Sequence, residues 1–178
     1  IESDLFYFSG ISLAILPPAD RDRLLAIARR CQGQVAFDGN YRPYGWQSIN
    51  VARRCLEAVG KIATIALPTA EDDNALFGPA SAEDHGRRWR AYGVGVVAVK
   101  DGADGAWVIE GDETPGHVRV ERRVQPVDTT GAGDSFNAGF LAAWLDGKPA
   151  FLASAAGNRL AGQVIQHRGA LIPHDAMP

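Results

Sequence analysis

The sequence predicts an α/β domain built on a mostly parallel sheet with antiparallel edge strands. Strand and helix patterns alternate through roughly the first hundred residues, as βαβ crossovers do when helices cover both faces of a parallel sheet. From 94 to 124, strand patterns follow one another across short turns, which adds an antiparallel edge. The chain has 178 residues, 46% of them hydrophobic. That is long enough for one well-buried domain and short for two. No internal repeat or linker interrupts it, so 1–178 is expected to be a single domain.

The elements follow in order. "LFYFSGI" reads as an apolar strand ending at Gly10, and "PPADRDRLLAIARRCQ" as a helix opened by Pro17, Pro18 and Asp20. "QVAFD" is a short buried strand, followed by the polar-aromatic loop "GNYRPYGW". "SINVARRCLEAVGK" has helical periodicity, and "IATIALP" is a β-branched strand stopped by Pro68. "TAEDDNALFG" is a short acidic helix. "SAEDHGRRWRAYG" is another, begun by Ser81 with Asp84 three residues on. "VGVVAVK", "GAWVIEG" and the alternating "HVRVERRV" are strands. "GDSFNAGFLAAWLDG" and "AFLASAAGNRLAGQVIQHR" are the closing helices, and "GALIP" is extended.

Composition narrows the function classes. The formal net charge is −3, and the arginine pairs at 29–30, 53–54, 87–88 and 122–123 are scattered among acids. They read as solvated faces, and no nucleic-acid partner is expected. The apolar runs are too short to span a bilayer, and no signal peptide is expected. Cys31 and Cys55 lack metal-ligand spacing, which fits reduced thiols in a cytoplasmic protein. His85, His117, His167 and His174 are too dispersed for a metal site. "GVGVVA" fits a dinucleotide fingerprint only formally, because its glycines precede the strand. Trp89, Trp107 and Trp144 are expected on packed faces, and Trp46, in a polar loop, at the border of a site. The chain opens without Met, on a strand pattern already under way, and is expected to be the later part of a longer protein.

The chemistry concentrates in "DTTGAGDSFNAGF". Gly131 and Gly133 free the backbone so that successive N–H groups can converge. The helix opening there adds unpaired donors and the positive end of its dipole. Such a mouth suits a phosphate, or charge developing on a phosphoryl group in transit. Asp134 is a poor anion ligand but a good base for an attacking hydroxyl. The alternative is plainer: a tight turn whose aspartate merely complements the dipole.

These residues resemble the C-terminal signature of the ribokinase-like sugar kinases, the PfkB carbohydrate kinase family. The resemblance implies a three-layer αβα fold. It also implies Asp134 as catalytic base and Gly131, Ala132 and Gly133 as the anion hole, with Asp128 and the Thr130 carbonyl as a site for K⁺. "VVAVKDGADGAWV" resembles the family's nucleotide segment, with Lys100, Gly102 and Gly105 near ATP, although Asp-Gly turns join hairpins of any kind. "FDGNYRPYGW" resembles the segment of the 2-keto-3-deoxygluconate kinases, which would turn Asn40 and Arg42 to the phosphate-transfer channel. A guanidinium there can hold a phosphate or a substrate carboxylate; a solvent loop with a β-turn at Arg42–Pro43 is the alternative. "SGISLAIL" and "GNRLAGQVIQHRGALIP", the latter with Asn158 as a nucleotide contact, also look like that branch.

Two departures matter. Where many members carry Asn-x-x-Glu to organise Mg²⁺ through water, this sequence has "TAED", so Thr69 and Asp72 stand in with Glu71 beside them, and the carboxylates of Glu71 and Asp72 are the ones expected to serve the metal. Ala170 follows the terminal Arg-Gly, where some ketodeoxygluconate kinases have an acid. The family's sugar-binding N-terminal portion and β-sheet lid have no counterpart here. The resemblance therefore implies ATP-dependent phosphorylation of a sugar acid, most closely 2-keto-3-deoxygluconate, with little turnover by this stretch alone. Kinases of neutral sugars or nucleosides, and a non-catalytic nucleotide-binding module, are the alternatives. The full-length protein has room to be a homo-oligomer.

Overall fold

The structure is a computed structural model that describes residues 2–177; Ile1 and Pro178, the ends of the span expected as one domain, lie outside the described residues. Six strands form one sheet in chain order: β1 (Leu5–Ser9), β2 (Gln34–Asp38), β3 (Ile65–Ala66), β4 (Val96–Lys100), β5 (Ala106–Glu110) and β6 (Gly116–Val118). The first four are parallel, and β5 and β6 add antiparallel neighbours. The helices are α1 (Gly10–Ala14), α2 (Pro18–Ala28), α3 (Ile49–Gly60), α4 (Ala70–Phe77), α5 (Ala82–Tyr92), α6 (Ala132–Leu145) and α7 (Ala150–Val164).

Strands laid down in chain order by right-handed crossovers must deposit their helices on one face. Accordingly, Leu13, Leu25, Leu56, Leu76 and Trp89 from α1 to α5 share one core with Phe37, Val97 and Val99. Phe136, Phe140, Leu141 and Ala153 from α6 and α7 share the other with Ile65, Leu67, Val96 and Ala98. The period-2 pleat divides β4 between the two cores, which is why "VVAV" is apolar at every position. Burying each Leu or Phe contributes about 1.5–3 kcal/mol. The expected ribokinase-like layering, mostly parallel with antiparallel edge strands, is what the sheet has.

Three elements depart from the sequence reading. The first strand stops at Ser9, and Gly10 already belongs to α1. β3 has only two ladder residues, although Thr64 and Leu67 donate to the Val35 and Phe37 carbonyls and keep the segment extended. "HVRVERRV" is a strand only as far as Val118, which pairs with Ala106, the first residue of β5. Beyond that register no partner strand remains, because the chain has already turned at Gly105.

Candidate active site

The carboxyl ends of β2 and β4, the start of α4 and the mouth of α6 converge on one cleft of about 640 Å³. Open α/β sheets bind ligands at this edge, outside the strand ends. Asn40, Arg42, Glu71, Asp72, Lys100, Gly102 and Gly105 line it, as do Thr130 to Asp134 and Asn158. Residues spread over more than a hundred positions of chain, and singled out from sequence, thus face one space. Asp128 is not among the lining residues.

The mouth of α6 explains its two glycines separately. Gly131 caps the helix in the left-handed conformation, at φ +77, and a Cβ there would lie 2.6 Å from that of Ala170. The fold itself requires that glycine. Gly133 has no such φ, and a Cβ on it would meet only the Lys100 Nζ, at 3.7 Å. The backbone tolerates a side chain there; what a side chain would occupy is the cleft. No side chain caps α6. The Ala132 N–H is spent on the Thr129 carbonyl at 3.2 Å, while among the described residues the Gly131, Gly133 and Asp134 amides have no partner. Asp134 is exposed in the first turn, its carboxylate neither hydrogen-bonded nor ion-paired among the described residues.

Around this mouth the other residues are held more firmly. Asn40 sits at φ +32, its buried Oδ1 without a partner among the described residues, a strained conformation of the kind found at ligand sites. Arg42 donates through Nη1 to the Tyr41 carbonyl at 2.8 Å and to both Asp72 oxygens, at 3.2 and 3.4 Å. Its Nε and Nη2 donors have no partner among the described residues. Burial pushes the Asp72 carboxyl above its ordinary range, against the pull of Arg42. Glu71 has no partner of its own among the described residues. Asn158 donates to the Val118 carbonyl at 2.9 Å. Asp128 accepts the Thr130 N–H at 2.9 Å and the Gly169 N–H at 2.8 Å, tying the loop before α6 to the one after α7. Hydrogen bonds from Thr130 and then Gly169 hold its carboxyl down at about 2.

Lys100 is not a free cation. Its ammonium, 6% exposed as a residue, donates to Asp38 Oδ1 at 3.0 Å and to Asn137 Oδ1 at 2.9 Å. Asp38 and Asn137 escaped the sequence reading, because β3 separates β2 from β4 and only the fold brings Asp38, Lys100 and Asn137 together. A second buried group lies beneath α4: Asp73 accepts the Trp89 indole N–H at 2.8 Å. Burial, opposed by that hydrogen bond, pushes Asp73 up to about 7. Arg88 can only donate, so the His85 Nδ1 accepts and its Nε2–H donates to Asn74 at 2.8 Å. Trp46, expected to border the site, is instead buried beneath the Arg21 guanidinium, 5.0 Å from its ring.

A second groove, of about 750 Å³, continues from the first across Gly102, Thr129, Ala132 and Asn158. Val120 and Val124, in the segment expected to be strand, line it together with Pro126 and Ile165. Among the described residues no group of three or more His, Cys, Asp or Glu could hold a metal, and no helix is long and apolar enough to cross a membrane.

An open α/β edge with a glycine-lined helix mouth and an unpaired carboxylate defines a class, and the sequence agrees: it matches the pfkB family of carbohydrate kinases across residues 2–177, and the chain belongs to that family. Among its relatives, the 2-dehydro-3-deoxygluconokinase of Escherichia coli strain K12 is 43% identical over 98% of this chain and 58% of its own length. The chain thus spans somewhat over half of such relatives. The crystal structure of aminoimidazole riboside kinase from Salmonella enterica, complexed with aminoimidazole riboside and an ATP analog, superimposes with a TM-score of 0.84 at 29% identity. It covers 95% of this chain and 58% of that one. A putative ribokinase II from E. coli, in complex with ATP and Mg²⁺, gives 0.77 at 25% identity over 94% and 54%.

Proposed function

We propose that the whole protein transfers the γ-phosphoryl group of ATP to the primary hydroxyl of 2-keto-3-deoxygluconate, yielding the 6-phosphate and ADP in the cytoplasm. The carrying observation is the Asp134 carboxylate, unpaired beside the free Gly133 and Asp134 amides in the shared cleft. This chain supplies the nucleotide half of the site and the base, and its two cores on one sheet support reading it as one unit.

In this reading the substrate oxygen attacks phosphorus in line as Asp134 takes its proton, and the bond to the ADP oxygen breaks. The free amides at the α6 mouth stabilise the equatorial oxygens. The ATP phosphates occupy the space that the missing Gly133 side chain leaves, and the nucleoside lies in the apolar second groove. Mg²⁺ supplies charge neutralisation between the phosphates when bound. The uncommitted Glu71 carboxylate fits it through water; Asp72 fits less well, because Arg42 already engages it. Both Asp128 oxygens are spent on backbone donors, so no step is assigned to a monovalent cation.

Arg42 favours an acid substrate. Its uncommitted Nε and Nη2 donors form a fork that a carboxylate or phosphate satisfies and a neutral sugar does not. The name of the relative at 43% identity supports the same choice, while the riboside kinase at 29% keeps a nucleoside as the second reading. An ADP-release assay of the full-length protein against ketodeoxygluconate, fructose, ribose and adenosine decides. Turnover highest with ketodeoxygluconate supports the proposal. Preference for a neutral substrate rejects the acid assignment, and ATP binding without turnover on any of them rejects catalysis.

A further inference from the structure

Beneath the cleft lies a polar layer that the chemistry above does not use. Lys100 and Asp38 are the last residues of β4 and β2. β3 runs between them, so their backbones stand roughly 10 Å apart, two strand spacings. Only a long side chain closes that gap. Lys100 Nζ reaches Asp38 Oδ1 and Asn137 Oδ1, while Asn137 Nδ2 donates to Asp38 Oδ2 at 2.9 Å and to the Tyr7 hydroxyl at 3.1 Å. An ammonium only donates and a carboxylate only accepts, so the Asn137 amide fits in a single orientation. All three side chains are buried.

Asn137 is three residues after Asp134 on α6, on the same side of the helix and about 4.5 Å further along its axis. Whatever fixes the rotation of α6 at Asn137 therefore fixes the direction in which Asp134 faces the cleft. The Lys100 ammonium also stands 3.7 Å from where a Gly133 Cβ would be, directly behind the anion-binding turn. An ion pair is not needed here for stability, since well-packed apolar residues commonly replace buried pairs without loss. Geometry is the remaining use.

We infer that Lys100, Asp38 and Asn137 form a clamp that sets the rotation of α6 on the sheet and so aims Asp134 at the reacting hydroxyl. They are positioning residues, and the inference deepens the proposed kinase reading and rests on it. The clamp also changes what Lys100 is for: it holds the site's base in place, rather than serving mainly as a phosphate ligand.

Two full-length variants cut the clamp in different ways. Lys100→Met/Asp38→Leu removes both charges together, and Asn137→Leu leaves the ion pair but frees the helix. Both should fold with urea midpoints below wild type, since each leaves a buried polar atom without its partner, Asn137 Oδ1 in the double variant and Asp38 Oδ2 in the single one. Both should lose at least about tenfold in kcat, the scale of a misplaced catalytic group, with KM for ATP within about threefold. Amide exchange at Ser135, Phe136 and Asn137 should quicken while the rest of α6 stays protected. A double variant with wild-type kcat, or unchanged exchange at those three amides, overturns the clamp. If wild type phosphorylates no sugar, the kinase reading falls, and the exchange comparison still decides the clamp.

Discussion

Two helix mouths, at α5 and α6, begin in nearly the same way in sequence and end up opposite in chemistry. Ser81 caps α5, accepting the Asp84 N–H at 3.1 Å while its hydroxyl donates to the Asp84 carboxylate at 2.7 Å. The donors and the acid of that mouth are spent on each other. At α6 a left-handed glycine replaces the cap, the first-turn acid Asp134 has no partner among the described residues, and the amides are left open. One helix satisfies its own end, and the other presents its end to a ligand. The lesson is that an acid in a first turn is structural when a cap engages it and chemical when nothing does. α4 lies between these cases: its first turn holds the paired Asp72 and the buried Asp73.

The contrast breaks most readily at Asp134. In the full-length protein Asp134→Asn should lower kcat at least about a hundredfold, as loss of a general base does, with ATP affinity nearly kept; an unchanged kcat returns Asp134 to the role of dipole complement. Next is Asp73, held near 7 by burial when an ordinary aspartate ionises near 3.8. Between those values the folded chain keeps a proton that the unfolded chain has released, so stability falls as pH rises through that window and levels off above it. Asp73→Asn should abolish the slope, reducing the loss of stability between pH 5 and pH 8 by about 2 kcal/mol. Urea midpoints at the two pH values would show it, and parallel lines for both proteins would refute it.

Gly133→Ala sharpens the distinction between folding and binding. Alanine is the better helix former by about 1 kcal/mol, so the urea midpoint should hold or rise. ATP binding should weaken by about tenfold, the equivalent of one phosphate hydrogen bond, measured by titration calorimetry. Binding at wild-type strength would mean that the cleft does not need the space. Ser81→Ala is the smallest effect: about 1 kcal/mol of stability lost with the cap and kcat unaltered, since α5 does not face the cleft.

Much of this was legible locally. Periodicity gave the order of strands and helices, because burial on a pleat or a helical stripe leaves its mark within a few residues. The glycine pair, Asp134 and the "NYRP" loop stood out because their chemistry is local and their residue types are unusual for a plain turn. The short β6 was not legible: "HVRVERRV" alternates correctly, but a strand needs a partner, and the register with β5 runs out at Ala106. Trp46 was misjudged for a similar reason, its ring covered by Arg21 from a distant helix.

By itself the sequence determined the alternating elements, the two-sided burial of β4 and the open, glycine-rich mouth of α6, all of them consequences of spacing and backbone freedom. Only the tertiary structure decided which charges are spent and which remain free. Asp38, Lys100 and Asn137 look no different in sequence from surface polar residues, and Asp134 no different from Asp84. Long-range packing brought the first three together in the interior and left Asp134 alone at the cleft, because hydrogen-bond partners far apart along the chain are chosen by the fold.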